Sequence, residues 1–137
     1  MKVKRIYKPV YSTAGNYQDK SFELVNDIGV LGHFAGFETS PNQRNLDDDN
    51  NKTTLYGLIE PYERVNKIVT AEGIDDAFLD GFTIKSAFHK GIYIDDSNVA
   101  IVNCEFWYNP DGIYCENSCE LDIQNCLLFD NHNSGLS

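Results

Sequence analysis

Positive charge is scarce in this chain. Eleven Lys and Arg stand against 21 Asp and Glu over 137 residues, a formal net charge of -10. A surface of that sign repels nucleic-acid phosphates and anionic membranes, so neither is expected as a partner. Long apolar runs are missing too, and no stretch approaches the length of a spanning helix. The amino terminus, MKVKRIYKPVYST, has basic residues without the apolar segment of a secretory signal. The expectation is a chain with no export address, cytoplasmic as it stands. No CxxC pair occurs among Cys104, Cys115, Cys119 and Cys126, and His132 nearby completes no zinc-ligand spacing. Buried free thiols are therefore expected at all four positions, because cysteine packs as a small hydrophobe. His33, His89 and His132 are scattered, with no Ser or Cys in a nucleophile elbow, which leaves a catalytic triad unsupported.

What is present is a repeat. Ile101-x-Asn103-Cys104 returns 22 residues later as Ile123-x-Asn125-Cys126, and a looser copy, FLDGFTI, begins at Phe78. Aligned, the copies place Gly81, Asn103 and Asn125 in one register, and Phe82, Cys104 and Cys126 in the next. A second motif follows each copy: Gly91-Ile92-Tyr93, Gly112-Ile113-Tyr114 and Gly135-Leu136. A leucine-rich repeat would suit the period, but LxxLxL and a helical second half are absent. Each unit holds three short β-like stretches instead, in one unit Ile113 to Cys115, Glu120 to Gln124 and Cys126 to Phe129, separated by turns. Three strands per coil, stacked on the same strands of the next coil, make an all-β parallel β-helix, a solenoid of about 22 residues per coil.

The Gly/Asn/Asn register carries a physical reason. Inward residues Ile101 and Cys104 are three apart rather than two, so one residue must turn the chain in a left-handed conformation open to Gly and, among the others, most readily to Asn. Stacked Asn side chains can bond along the axis. The expected inward set is Ile92, Ile94, Ile101, Cys104, Phe106, Ile113, Cys115, Leu121, Ile123, Cys126 and Leu128.

Residues 78–137 resemble the right-handed parallel β-helix repeats of the pectin-lyase-like superfamily. GHFAGFETS at 32–40, followed by Gln43-Arg44 and by Thr54, Leu55 and Gly57, resembles the segment before those repeats in bacterial surface-associated β-helix proteins, with His33 where the family commonly has glycine. Ile6 to Pro9 resembles the strand before that. The resemblance implies one right-handed β-helix domain over 1–137. Residues 1–58 would form early coils with a protruding loop at 38–53, 59–76 a connecting coil and 77–137 the regular repeats. Relatives usually continue at both ends, so the expectation is a piece of a longer solenoid. Its ends would be covered by self-association into a homo-oligomer, or by the amino-terminal segment and the 38–53 loop. Relatives are also commonly exported.

The resemblance further points to the outward face of the Gly-Ile-Tyr strands as the place to look for a ligand. Tyr93 and Tyr114 should stack there beside Asp95 and Glu116, and aromatics with carboxylates suit carbohydrate; the plain alternative is a solvated tyrosine ladder. Asp95 and Glu116 also have the makings of a glycosidase pair, although nothing local distinguishes their pKa values. The resemblance to pectate lyases would call for an arginine base, and no Arg follows Arg64. The reading is a structural or carbohydrate-binding module without catalytic residues, the alternative being a polysaccharide lyase or glycoside hydrolase on the same face. Trp107, with Tyr108, adds an outward aromatic patch that suits a ligand or packs on a neighbouring turn. Asp47, Asp48 and Asp49 form the densest acidic run; it has oxygens for calcium but lacks the Gly and distal Glu of an EF-hand loop.

Overall fold

The computed structural model describes residues 8–13, 15–17, 21–59 and 63–137. Ile6 and Tyr7 of the sequence comparison lie outside them. The chain winds through three parallel sheets of five strands each. Along the axis the first sheet contains Lys8–Thr13, Ile28–Phe34, Asp75–Asp80, Asn98–Val102 and Glu120–Gln124. The second contains Gly15–Tyr17, Thr53–Tyr56, Phe82–Lys85, Glu105–Trp107 and Leu127–Phe129. The third contains Phe22–Glu23, Lys67–Glu72, Lys90–Asp95, Asp111–Glu116 and Ser134–Leu136. A short antiparallel pair, Leu58–Ile59 with Glu63–Arg64, stands outside the solenoid. Among the described residues no helix is long and apolar enough to cross a membrane.

Alternation decides what the sheets bury. Leu79, Ile101 and Ile123 share one register, as do Ile84, Phe106 and Leu128, so each inward side chain lies on its counterpart one coil away. Ile92, Ile94, Ile101, Phe106 and Ile113 are fully buried and Cys104 nearly so. The other expected inward residues, Cys115, Leu121, Ile123, Cys126 and Leu128, are only partly covered; all but Cys115 belong to the coil at residues 117–137.

Each of the three corners turns on a residue with positive φ. Between the first and second sheets these are Gly81 (85°), Asn103 (53°) and Asn125 (51°), as the repeat requires. Their amides form the expected ladder: Asn125 Nδ2 donates to Asn103 Oδ1 at 2.6 Å, and Asn103 Nδ2 donates to Asp80 Oδ1 at 2.9 Å. Between the second and third sheets the left-handed residues are Ser86, Tyr108 and Asp130, and an inward Asn follows two of them. Asn109 is completely buried. Its Oδ1 accepts from the Ala87 N–H, its Nδ2 donates to the Ile84 carbonyl, and its own N–H donates to Asn131 Oδ1. This packing is why glycine stands second in the strand Lys90–Asp95: a Cβ at Gly91 would lie 2.6 Å from the Gly112 oxygen and 2.9 Å from Asn109 Nδ2.

The third corner corrects the cysteine expectation. Cys115 and Cys119 are joined in a disulfide across a separation of four residues, while Cys104 and Cys126 remain thiols. Cys119 stands one coil beyond Ser97, at a corner that bends the chain back toward the strand of Cys115. Neither the absence of a CxxC spacing nor the 22-residue register points to this bend within one coil. The pairing also removes reduced cysteines as an argument for the cytoplasm. A smaller correction concerns Cys126, which lies in the corner rather than in the strand Leu127–Phe129. Its sulfur lies 3.4 Å from both the Gln124 and the Ile101 carbonyl oxygens.

Candidate functional site

The outward face of the third sheet brings four of the expected site residues together. Tyr93 pairs with Tyr114 and Asp95 with Glu116 in consecutive coils, and Glu72 extends the carboxylate column one coil back. The tyrosine rings stack at 6.0 Å between centroids and 11° between planes. A lysine from the preceding coil covers each ring: Lys67 Nζ lies 3.7 Å from the Tyr93 centroid and Lys90 Nζ 4.4 Å from that of Tyr114. The ring faces therefore look along the solenoid axis, and their edges and hydroxyls face solvent. The carboxylates are engaged as well, Glu116 accepting from the Tyr93 hydroxyl at 2.8 Å and Asp95 from the Asn117 amide.

The Tyr93–Glu116 bond has a spectroscopic consequence. That hydrogen bond first, then burial and the charges of Asp95, Glu116 and Glu72, push the Tyr93 hydroxyl up to about 12. Titration followed by phenolate absorbance should show one tyrosine ionising near that value. In Glu116→Ala it should return toward 10. An unchanged profile would mean that the bond is not made in solution.

Trp107 lies elsewhere, on the second sheet. It stacks on Phe129 at 5.4 Å and 12°, with Lys85 Nζ 4.5 Å from its ring centroid. The ring is half-buried, and its Nε1 is buried without a hydrogen-bond partner. The exposed member of the expected patch is Tyr108, which is 47% exposed.

The acidic run belongs to the flanking loop. Asp48 caps the short turn Asp49–Asn51 by accepting from the Asn50 N–H, and Asp49 pairs with Lys52 at 3.4 Å. Among the described residues no three His, Cys, Asp or Glu side chains are brought together as metal ligands.

That loop does not lie across the end of the solenoid, as one expectation had it; it runs along the flank. Arg44 anchors it, donating to both Asp80 oxygens at 3.2 and 3.0 Å and to the Gly32 carbonyl at 3.0 Å. His33, with φ of 72°, contacts the Asp48 carbonyl through Nε2 at 2.9 Å. Lys52 reaches Glu105 at 3.0 Å. Between the loop and the Asn103/Asn125 corner lies a cavity of about 310 Å³, whose lining includes Leu46, Asp47, Glu105, Cys126 and Leu127. Sequence reasoning missed this cleft because its roof and floor come from segments about 60 to 80 residues apart. The signal within reach was the Cys104/Cys126 register.

Comparison with known proteins agrees with this architecture. The family model for a right-handed β-helix region matches residues 42–137, more than half of the chain. No curated protein and no solved structure matches it.

Proposed function

The chain belongs to the right-handed β-helix family, and from that premise we propose that it is a structural, non-catalytic module that associates with copies of itself through the edge strands Glu120–Gln124, Leu127–Phe129 and Ser134–Leu136. The observation that carries this reading is the loss of cover along single registers. Ile113 is fully buried, whereas Leu136, its partner one coil on, is 56% exposed. Ile123 and Leu128 likewise lose the cover that Ile101 and Phe106 have. The strands Glu120–Gln124, Leu127–Phe129 and Ser134–Leu136 each stand at the edge of a sheet. Unpaired edges over an uncovered core favour another β-surface of the same kind.

Light scattering across a dilution series tests the reading. The expected mass exceeds one chain and falls toward it on dilution, and Leu136→Lys keeps the protein a single chain throughout. A wild-type protein that is a single chain at every concentration would overturn it.

A second reading, carbohydrate binding on the third sheet, is favoured by the Glu72, Asp95 and Glu116 column beside the tyrosine hydroxyls, which offers acceptors at intervals of one coil, about 4.8 Å. Contact there would be by hydroxyls and ring edges. Glycan-array binding lost in Glu116→Ala supports this reading. Release of products from a polysaccharide would favour the competing lyase or hydrolase.

A further inference from the structure

The cleft beneath the 38–53 loop has chemistry that neither reading uses. Cys126 and Cys104 both line it, the first half-buried and the second, one coil back, 1% exposed. We propose that these two residues form a thiol–disulfide exchange site, with Cys126 as the attacking thiol, Cys104 as the resolving thiol and a small disulfide entering through the cleft as co-substrate.

Three observations support the assignment. Stacked residues are about 4.8 Å apart along the axis, within the Cα separation of about 4.4 to 6.8 Å that a disulfide spans; the two sulfurs can join without a change of strand register. Both residues line the cavity of about 310 Å³, but access is asymmetric, since Cys126 is half-buried whereas Cys104 is almost wholly covered. The two thiols also differ in acidity. Burial pushes Cys104 well above its ordinary value, while the hydrogen bond from Cys104 holds Cys126 down at about 7. The exposed thiol is the better ionised of the two, as an attacking group needs to be.

The chemistry balances as a two-electron exchange. The Cys126 thiolate attacks one sulfur of RSSR, forming a mixed disulfide and releasing RS⁻. Cys104 gives its proton to that thiolate and attacks the Cys126 sulfur, breaking the mixed bond. The products are a Cys104–Cys126 disulfide and two thiols, RSH and a second RS⁻ that takes a solvent proton. The dithiol is oxidised once per chain and RSSR is reduced. The net charge of -10 favours disulfides with cationic arms.

Cystamine is accordingly the probe, applied to the folded full chain with the Cys115–Cys119 disulfide intact and followed by intact mass and peptide mapping. The expected course is a transient adduct on Cys126, then a Cys104–Cys126 disulfide without adduct. Its rate should rise with pH to a plateau with a midpoint near 7 rather than 9. At pH 7 such a thiol is about half ionised against about 1% for an ordinary one; allowing for weaker nucleophilicity, Cys126 should react about 5-fold faster. Cys104→Ser should stop at the Cys126 adduct, and Cys126→Ser should leave Cys104 unlabelled. Three results on wild-type protein would each overturn the assignment: an inert Cys126, first labelling at Cys104, or a Cys126 adduct that persists beside a free Cys104.

Discussion

Replacing Arg44 with methionine is expected to lower stability by about 3–5 kcal/mol, as when one partner of a buried ion pair is removed. The Arg44 side chain is 7% exposed and that of Asp80 15%, so water screens neither well. Methionine keeps much of the apolar stem but removes both bonds to Asp80 and those to the Gly32 and Pro41 carbonyls. Asp80 would then keep the Asn103 amide without its cation. The loop would lose its central anchor, so urea unfolding should shift and limited proteolysis should cut within 38–53. The double variant R44M/D80N separates stranded charge from lost packing. It should recover a large part of the stability, while the loop stays open to protease. A loss below about 1 kcal/mol in R44M would mean that the pair contributes only as a surface ion pair does.

Asn109→Leu should have an effect of similar size, about 4 kcal/mol, for a different reason. Leucine fits an apolar interior but cannot accept from the Ala87 N–H or donate to the Ile84 carbonyl. Each buried group left unsatisfied costs about 1–3 kcal/mol. Asn131→Leu makes the same change one coil on, where the side chain is only partly buried and water can replace the lost bonds to the Asn109 N–H and the Phe106 carbonyl. Its expected cost is about 1–2 kcal/mol. Equal losses at the two positions in chemical denaturation would refute the role of burial in this argument.

Much of the solenoid was legible in the sequence because its determinants repeat at a fixed offset. Gly81, Asn103 and Asn125 mark a left-handed corner by residue type, and Ile101, Phe106 and Ile113 mark the inward face by alternation. The second corner was not legible in the same way. Ser86, Tyr108 and Asp130 also adopt positive φ, and of these only Asp130 is a type that favours it. What stabilises that corner is the side chain after the turn, Asn109 or Asn131, whose partners sit in the preceding coil. The third-sheet residues came together as expected, since in-register stacking follows from the repeat. The direction of their ring faces depends on Lys67 and Lys90, which open the strands Lys67–Glu72 and Lys90–Asp95 and whose reach to the next coil no repeat register shows. The flank cleft was hidden for a simpler reason: nothing periodic says where a loop such as 38–53 will fold back.

The second corner also gives the solenoid a direction of dependence. Asn109 completes the coil before it and is completed in turn by Asn131 of the coil after it. Each coil thus supplies an acceptor that its predecessor requires, and loss of the last one exposes an unfilled donor in the next. Opening then advances in whole coils rather than residue by residue, each opened coil preparing the one before it. The chain resembles a ratchet that can be run backward one tooth at a time, about 22 residues to the tooth.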